Sequence, residues 1–196
     1  MLLDRVSRDD LPESLVDVYD LAAQRTGSTD FIEAGAKAPE LLDWYFNSFY
    51  AGIFYGGRNA VRTSEIIRLR LANTHGCAFC NKWDTIDARA AGLTEEEIAG
   101  LVGWPEEVPA HLFSEGERAA LRYADQHCLQ NMYGTLDEQL AADLKAHFDA
   151  GQIFELGIIC AVLTGMAKFI FVNDLVEKMD HCPVRPRVQA VGATAE

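Results

Sequence analysis

Apolar positions recur at three- and four-residue intervals along most of the chain, and no run of alternating β-branched residues interrupts them, so the pattern predicts an all-α protein. After Pro12, the residues Leu15, Val18, Tyr19 and Ala22 form one stripe that ends at Gly27. A second helix opens at Pro39, and Leu41, Leu42, Tyr45, Phe46, Phe49, Tyr50, Ile53 and Phe54 keep helical spacing until Gly56 and Gly57 stop it. A face this rich in aromatic residues is expected to form core or a subunit interface rather than a ligand pocket. A third helix over about 63–73 carries Ile66, Ile67, Leu69 and Leu71. The segment Asn73-Thr74-His75-Gly76 breaks it, and a new helix opens at Cys77, runs to Ala91 and stops at Gly92.

Further on, Thr94-Glu95-Glu96-Glu97, Ser114-Glu115-Gly116-Glu117 and Thr135-Leu136-Asp137-Glu138 have the form of capping boxes, each before apolar residues at helical intervals. Residues 153–172 are apolar enough to raise the question of a membrane span. Glu155 and Lys168 argue against it, and Gly157 and Gly165 suit close helix packing, so a buried helix is expected, with both charges in structural ion pairs. From Pro183 onward the apolar periodicity lapses. The expected organisation is one helical domain over residues 1–182, followed by a mobile tail, 183–196.

Charge narrows the partners. With 17 Lys and Arg against 30 Asp and Glu, the net charge is -13, and such a surface repels phosphate backbones and anionic headgroups. Nucleic acid and membrane surfaces are therefore not expected as principal partners. A chain of 196 residues can build its own core without staples. The opening MLLDRVSRDD places acids where a secretory signal needs an apolar stretch, so a cytoplasmic location is expected. The five cysteines are an odd number and do not form a disulfide framework. Two of them, in Cys77-Ala78-Phe79-Cys80, have a spacing that in a reducing compartment points to redox or metal chemistry.

At about 100° per helical residue, Cys80 and Asp84 lie within about 60° of Cys77 on one helix face. Unpaired N–H groups and the positive dipole end favour thiolate at a helix start, so one cysteine can attack and the other can resolve the product as a disulfide. Glu65, on the preceding helix, can fold back toward the pair and take a thiol proton; it can equally be a surface residue pairing with Arg68 or Arg62. His75, two residues before Cys77, can supply an imidazole or can simply be solvated. A zinc site from His75, Cys77, Cys80 and Asp84 is disfavoured, because residues so close in sequence rarely close a tetrahedron alone. Phe79 and Trp83 can wall a pocket, though core is the expected use. Cys128, Cys160 and Cys182, with His111, His127, His147 and His181, have no recognisable catalytic partners.

Ser64-Glu65-Ile66-Ile67-Arg68-Leu69-Arg70-Leu71-Ala72-Asn73, then Gly76-Cys77-Ala78-Phe79-Cys80, then the run from Ala88 to Ile98, resemble the carboxymuconolactone decarboxylase and alkylhydroperoxidase D-like superfamily. The likeness is strongest over residues 38–130. It implies an all-α fold, a homo-oligomer (dimer, trimer or hexamer) and, where the cysteine pair is present, thiol-dependent reduction of hydroperoxides. In those members a Glu, the two cysteines and a His four residues after the second cysteine form a proton relay. Glu65, Cys77 and Cys80 match that pattern, but Asp84 stands in the histidine position. An ionised Asp offers no positive charge and raises the pKa of a nearby thiol. Either one carboxyl stays protonated, or these cysteines are less reactive than in members with histidine.

The expected function is a peroxidase or disulfide oxidoreductase using Cys77 and Cys80, with Glu65, Asp84 and His75 as the other catalytic candidates. Its substrate is a hydroperoxide or small disulfide, its partner a dithiol reductant protein, and no cofactor or metal is called for. The resemblance favours Cys80 as the attacking thiol, whereas the helix dipole alone favours Cys77. The alternatives are a cysteine-independent acid/base enzyme, resembling the lactone decarboxylases and acting on a small carboxylate, and a non-enzymatic helical oligomer.

Overall fold

A computed structural model describes residues 3–103, 105–128 and 133–176; the expected tail, Cys182 and His181 lie outside the described residues. The described residues are helical, with no strand among them. Helix α1 (Glu13–Thr26) follows Pro12 and ends at Gly27, whose φ of 69° is the left-handed conformation that closes a helix without steric cost. Short helices α2 (Asp30–Gly35) and α3 (Pro39–Asp43) lead into a π-helical segment, Trp44–Tyr55. Helices α4 (Val61–His75), α5 (Ala78–Ala90), α6 (Glu95–Gly100), α7 (Glu115–Cys128), α8 (Glu138–His147) and α9 (Ala150–Val172) complete the order.

Helix α4 is the central element. Every residue from Ser64 to Asn73 is buried, and α5, α7 and α9 pack around it, with α8 against α7. Ile67 and Leu71 of α4 join Phe49 and Phe54 of the π segment, Ala120 and Ala124 of α7, and Leu156, Ile159 and Cys160 of α9 in one core cluster. On another side, Ile66 and Leu69 pack with Ala88, Leu93, Leu101, Phe113 and Leu121. Each such large apolar side chain contributes roughly 1.5–3 kcal/mol on leaving water. Arg70 of α4 is fully partnered inside the core: its guanidinium, 1% exposed, donates to Asp125 at 2.8 Å and to the carbonyls of Leu101 and Gly103.

Two capping boxes stand where expected, Thr94 with Glu97 and Ser114 with Glu117. The third does not form. Helix α8 is capped by Asp137, two residues beyond Thr135, with its carboxylate accepting from the Leu140 N–H at 2.8 Å. A charged carboxylate at the N-cap also meets the helix dipole, which a threonine hydroxyl cannot do. An unforeseen box, Asp149 with Gln152, opens α9.

By length and composition α9 could cross a membrane, yet it packs against α4, α7, α8 and the π segment. Its burial is one-sided: Leu156, Ile159 and Cys160 face the core, while Phe154, Phe169 and Val172 are exposed at 72%, 44% and 81%. Glu155 and Lys168 do not pair with each other. Glu155 accepts from the backbone N–H groups of Arg58 and Asn59 at 2.7 and 2.9 Å and from Asn59 Nδ2, which fastens the turn after the π segment to α9. A Cβ at Gly57 would lie 2.6 Å from Glu155 Oε1, so this close approach requires glycine. Lys168 is solvent-exposed.

Candidate functional site

Gly76, with φ 68°, terminates α4 and reverses the chain so that α5 returns along it. Cys77 is the N-cap of α5, and its Sγ accepts from the Cys80 N–H at 3.0 Å. The two sulfurs are joined as a disulfide, with Cα atoms 5.2 Å apart. Cys77 is fully buried and Cys80 partly exposed, so an incoming molecule meets Cys80 first. The other two described cysteines are thiols outside the site: burial pushes Cys128 up to about 11 and Cys160 higher still.

Glu65 and Asp84 are brought together by Arg68. The guanidinium lies 2.6 Å from Glu65 Oε2, 2.8 Å from Asp87 Oδ2 and 3.5 Å from Asp84 Oδ1. It also lies over the rings of Phe54 and Tyr50, at 5.0 and 6.0 Å from their centroids. Burial alone would lower the Arg68 pKa, but Asp84, Tyr50, Glu65 and Tyr55 around it hold the charge in place. Of the two sequence options for Glu65, the partner Arg68 is right and the surface location is not: Glu65 is 1% exposed. Burial pushes its pKa up against the pull of Arg68, and burial raises Asp84 to about 6 against the same pull.

His75 is not solvated. It points inward beside Cys77, on the wall of a cavity of about 480 Å³ that Cys77, Cys80, Asp84 and Arg68 also line. Its Nε2 is buried with no hydrogen-bond partner among the described residues, and burial, then the charge of Lys168, lowers its pKa to about 4. The imidazole is therefore neutral at pH 7. Phe79 and Trp83, expected in the core, instead face this cavity. Among the described residues, no group of three or more His, Cys, Asp or Glu is placed to hold a metal ion.

The aromatic segment before α4 was expected in core or interface. Phe49 and Phe54 are core, but Tyr45, Phe46, Tyr50 and Tyr55 line the cavity. The division follows from the i→i+5 bonding of the π helix, which stacks positions five apart. Tyr45, Tyr50 and Tyr55 thus fall in one row, with successive ring centroids 5.1 and 6.1 Å apart. Burial raises the pKa of all three phenols. Sequence reasoning missed this row and the central place of Arg68. The recurrence of tyrosine at intervals of five was the available signal.

Two opposed proton linkages follow. Asp84 titrates higher in the folded chain than in the unfolded one, so the folded state holds an extra proton between about pH 4 and 6 and stability falls as pH rises through that window. His75 titrates lower when folded, so the unfolded state holds the extra proton between about pH 4 and 6.5 and stability rises with pH. At 1.36 kcal/mol per unit, each amounts to about 3 kcal/mol. Urea unfolding across this range is expected to show near-cancellation in the native chain. Asp84→Asn should show stability climbing from pH 4 to 6.5, and His75→Phe should show it declining; parallel profiles for all three would contradict the assignment.

Parts of the chain are similar to known proteins. The family model described as "Carboxymuconolactone decarboxylase family" matches residues 39–126. The chain is 35% identical to the uncharacterized protein YdfG of Bacillus subtilis over 97 residues, which cover 50% of this chain and 63% of YdfG. It is 26% identical to the uncharacterized protein YnjA of Escherichia coli over 111 residues, 57% of this chain and 58% of YnjA. The matches thus span about three-fifths of these relatives' length. Among solved structures, a protein of unknown function from Agrobacterium tumefaciens, described as a candidate AhpD of antioxidant defence, superposes with TM-score 0.60 at 22% identity, covering 70% of this chain and 90% of its own. A debrominase, Bmp8, in complex with 2,3,4-tribromopyrrole superposes with TM-score 0.69 at 18% identity, covering 93% of this chain and 94% of its own. The fold is that of these two solved structures, and residues 39–126, with the CxxC pair at the head of α5, match the model of the carboxymuconolactone decarboxylase family.

Proposed function

We propose that the protein is a thiol-dependent oxidoreductase whose Cys77–Cys80 pair reduces an organic hydroperoxide and is restored by a dithiol protein. The observation that carries this reading is the Cys77–Cys80 disulfide in the wall of a substrate-sized cavity, with Cys80 the more accessible cysteine. Asp84, four residues on along the same helix and near neutrality in its pKa, is suited to proton transfer at both ends of the step. As carboxylate it takes the Cys80 proton, and the thiolate attacks the outer oxygen of ROOH. The O–O bond breaks, Asp84 returns the proton to the leaving alkoxide, and the products are ROH and a sulfenic acid on Cys80. Cys77 then attacks that sulfur; hydroxide leaves with the Cys77 proton as water, and the disulfide forms. An external dithiol supplies two electrons and two protons to reopen it.

Arg68 provides the positive charge that a histidine in place of Asp84 would have supplied, and it pulls against the burial that raises the Glu65 pKa. The match of residues 39–126 to the family model and the likeness to the candidate AhpD structure support the same reading. Assembly as a homo-oligomer in a reducing, cytoplasmic setting is part of the proposal, and the exposed apolar side of α9 is the surface that suits it. A second reading uses Asp84 and His75 for acid/base chemistry without the cysteines, and the raised pKa of Asp84 favours it. The two separate in one assay. Reduced protein supplied with cumene hydroperoxide and excess dithiothreitol is expected to consume one dithiol per peroxide over many turnovers and to stop after alkylation of Cys80. No consumption by the fully reduced protein would overturn the redox reading.

A further inference from the structure

The cavity beside the sulfurs carries an unbalanced charge. Among the described residues, four charged side chains line it: Arg25 of α1, Arg68 of α4, and Asp84 and Asp87 of α5. Arg68 makes its short contacts with Glu65 and Asp87, at 2.6 and 2.8 Å, and Arg25 also bonds Asp87. Two guanidinium groups thus meet three carboxylates, and the one left over is Asp84. No described residue donates a hydrogen bond to it, and its ion pair with Arg68 is 3.5 Å long. Its side chain keeps 14% of its surface open, against 1% for Glu65, so this carboxylate is reached from the cavity. Burial raises its pKa to about 6, the mark of a negative charge poorly compensated where it stands.

The rest of the lining suits the organic part of a cation. The space is about 480 Å³, within the range that encloses a small organic molecule, and its walls include Tyr45 and Tyr50 from the π segment and Phe79 and Trp83 from α5. Burial first, and the charge of Asp84 among lesser causes, raises the pKa of Tyr45 and Tyr50, which places both rings near that carboxylate. Aromatic rings attract a positive charge set against their faces, and rings of this lining hold cations already: Arg68 lies over Tyr50 at 6.0 Å and Lys82 over Trp83 at 4.8 Å. An ammonium brings Asp84 the charge-assisted N–H donors that it lacks. An anionic ligand would add a fourth negative group to three, and a neutral one would leave the excess as it is.

We propose that this cavity binds an organic ammonium ion, its nitrogen on the Asp84 carboxylate and its apolar body among Tyr45, Tyr50, Phe79 and Trp83. The site goes beyond the thiol chemistry and stands without it, so the test needs no turnover. Calorimetric titration of the full-length, disulfide-bonded protein at about pH 7.5, where Asp84 is ionised, compares four ligands. Against 2-phenylethylammonium stand 2-phenylethanol and phenylacetate, which keep the ring and replace the cation by a neutral and an anionic group, and methylammonium, which keeps the cation and lacks the body. Phenylethylammonium is expected to bind at least about tenfold more tightly than each of the others. Asp84→Asn, of the same size, should bring it to the level of the alcohol, while unchanged binding of the alcohol shows the cavity intact. Attraction by the chain's net charge of -13 would survive the loss of one carboxylate, so this variant separates the site from a general pull on cations. Asp84→Glu, which keeps the charge on a longer stem, should retain most of the preference. No binding of phenylethylammonium by the native protein, binding matched by any of the other three, or a preference unmoved in Asp84→Asn or lost in Asp84→Glu would each overturn the proposal.

Discussion

Replacing Cys80 by serine is expected to reduce hydroperoxide turnover by roughly a thousandfold or more, because in the proposed reaction it removes the atom that forms the first bond to oxygen. Cys77→Ser has a different signature. It leaves the attacking sulfur in place, so one equivalent of hydroperoxide should be consumed in a burst and turnover should then cease, with a sulfenic acid trapped on Cys80 by dimedone and seen by intact mass. The asymmetry follows from burial: Cys77 has no exposed surface and Cys80 does. A trapped sulfenic acid on Cys77 in Cys80→Ser, and none on Cys80, would reverse the assignment in favour of the helix dipole. Undiminished activity in both single variants would transfer the chemistry to Asp84 and His75.

Arg68→Met is expected to cost about 3–5 kcal/mol of stability at pH 7, the usual penalty for removing one partner from a buried ionic group. Three carboxylates, Glu65, Asp84 and Asp87, share this guanidinium, and the residue is only 7% exposed. Without it their mutual repulsion drives at least one to bind a proton. Urea unfolding should accordingly show a smaller deficit at pH 5 than at pH 7, and adding Asp84→Asn should recover part of the loss at pH 7. Arg68→Lys should fall short of rescue, since a point charge on a flexible stem cannot span three carboxylates as a planar fork does. A change below about 1 kcal/mol at pH 7 would mean that water, rather than Arg68, solvates the cluster.

Helix ends were legible in the sequence where a residue type has one local use. Gly27 and Gly76 close helices in the left-handed conformation, and Thr94 with Glu97 and Ser114 with Glu117 cap them as their spacing announces. Cys77, Cys80 and Asp84 were readable as one helix face, and the structure lines one cavity with all three. What was not legible lay where local pattern loses its contrast. From Ser64 to Asn73 every residue is buried, so no amphipathic stripe distinguishes Arg68, facing the cavity, from Arg70, locked among Asp125 and two carbonyls. The direction of His75 was set by the chain reversal at Gly76 rather than by any period. The tyrosine row was hidden because a 3.6-residue repeat was assumed where the backbone bonds at i→i+5.

That π-helical stretch has an evolutionary meaning as well. Each residue of a helix is rotated about the axis relative to the one before it, so removing a single residue between Trp44 and Tyr55 would carry every side chain beyond the deletion onto a new face. The tyrosines beyond the deletion would leave the cavity together and other side chains would enter it together. The lining of the pocket is thus set by the length of one segment as much as by its letters, and one codon gained or lost there is a shorter route to a new ligand preference than several independent substitutions.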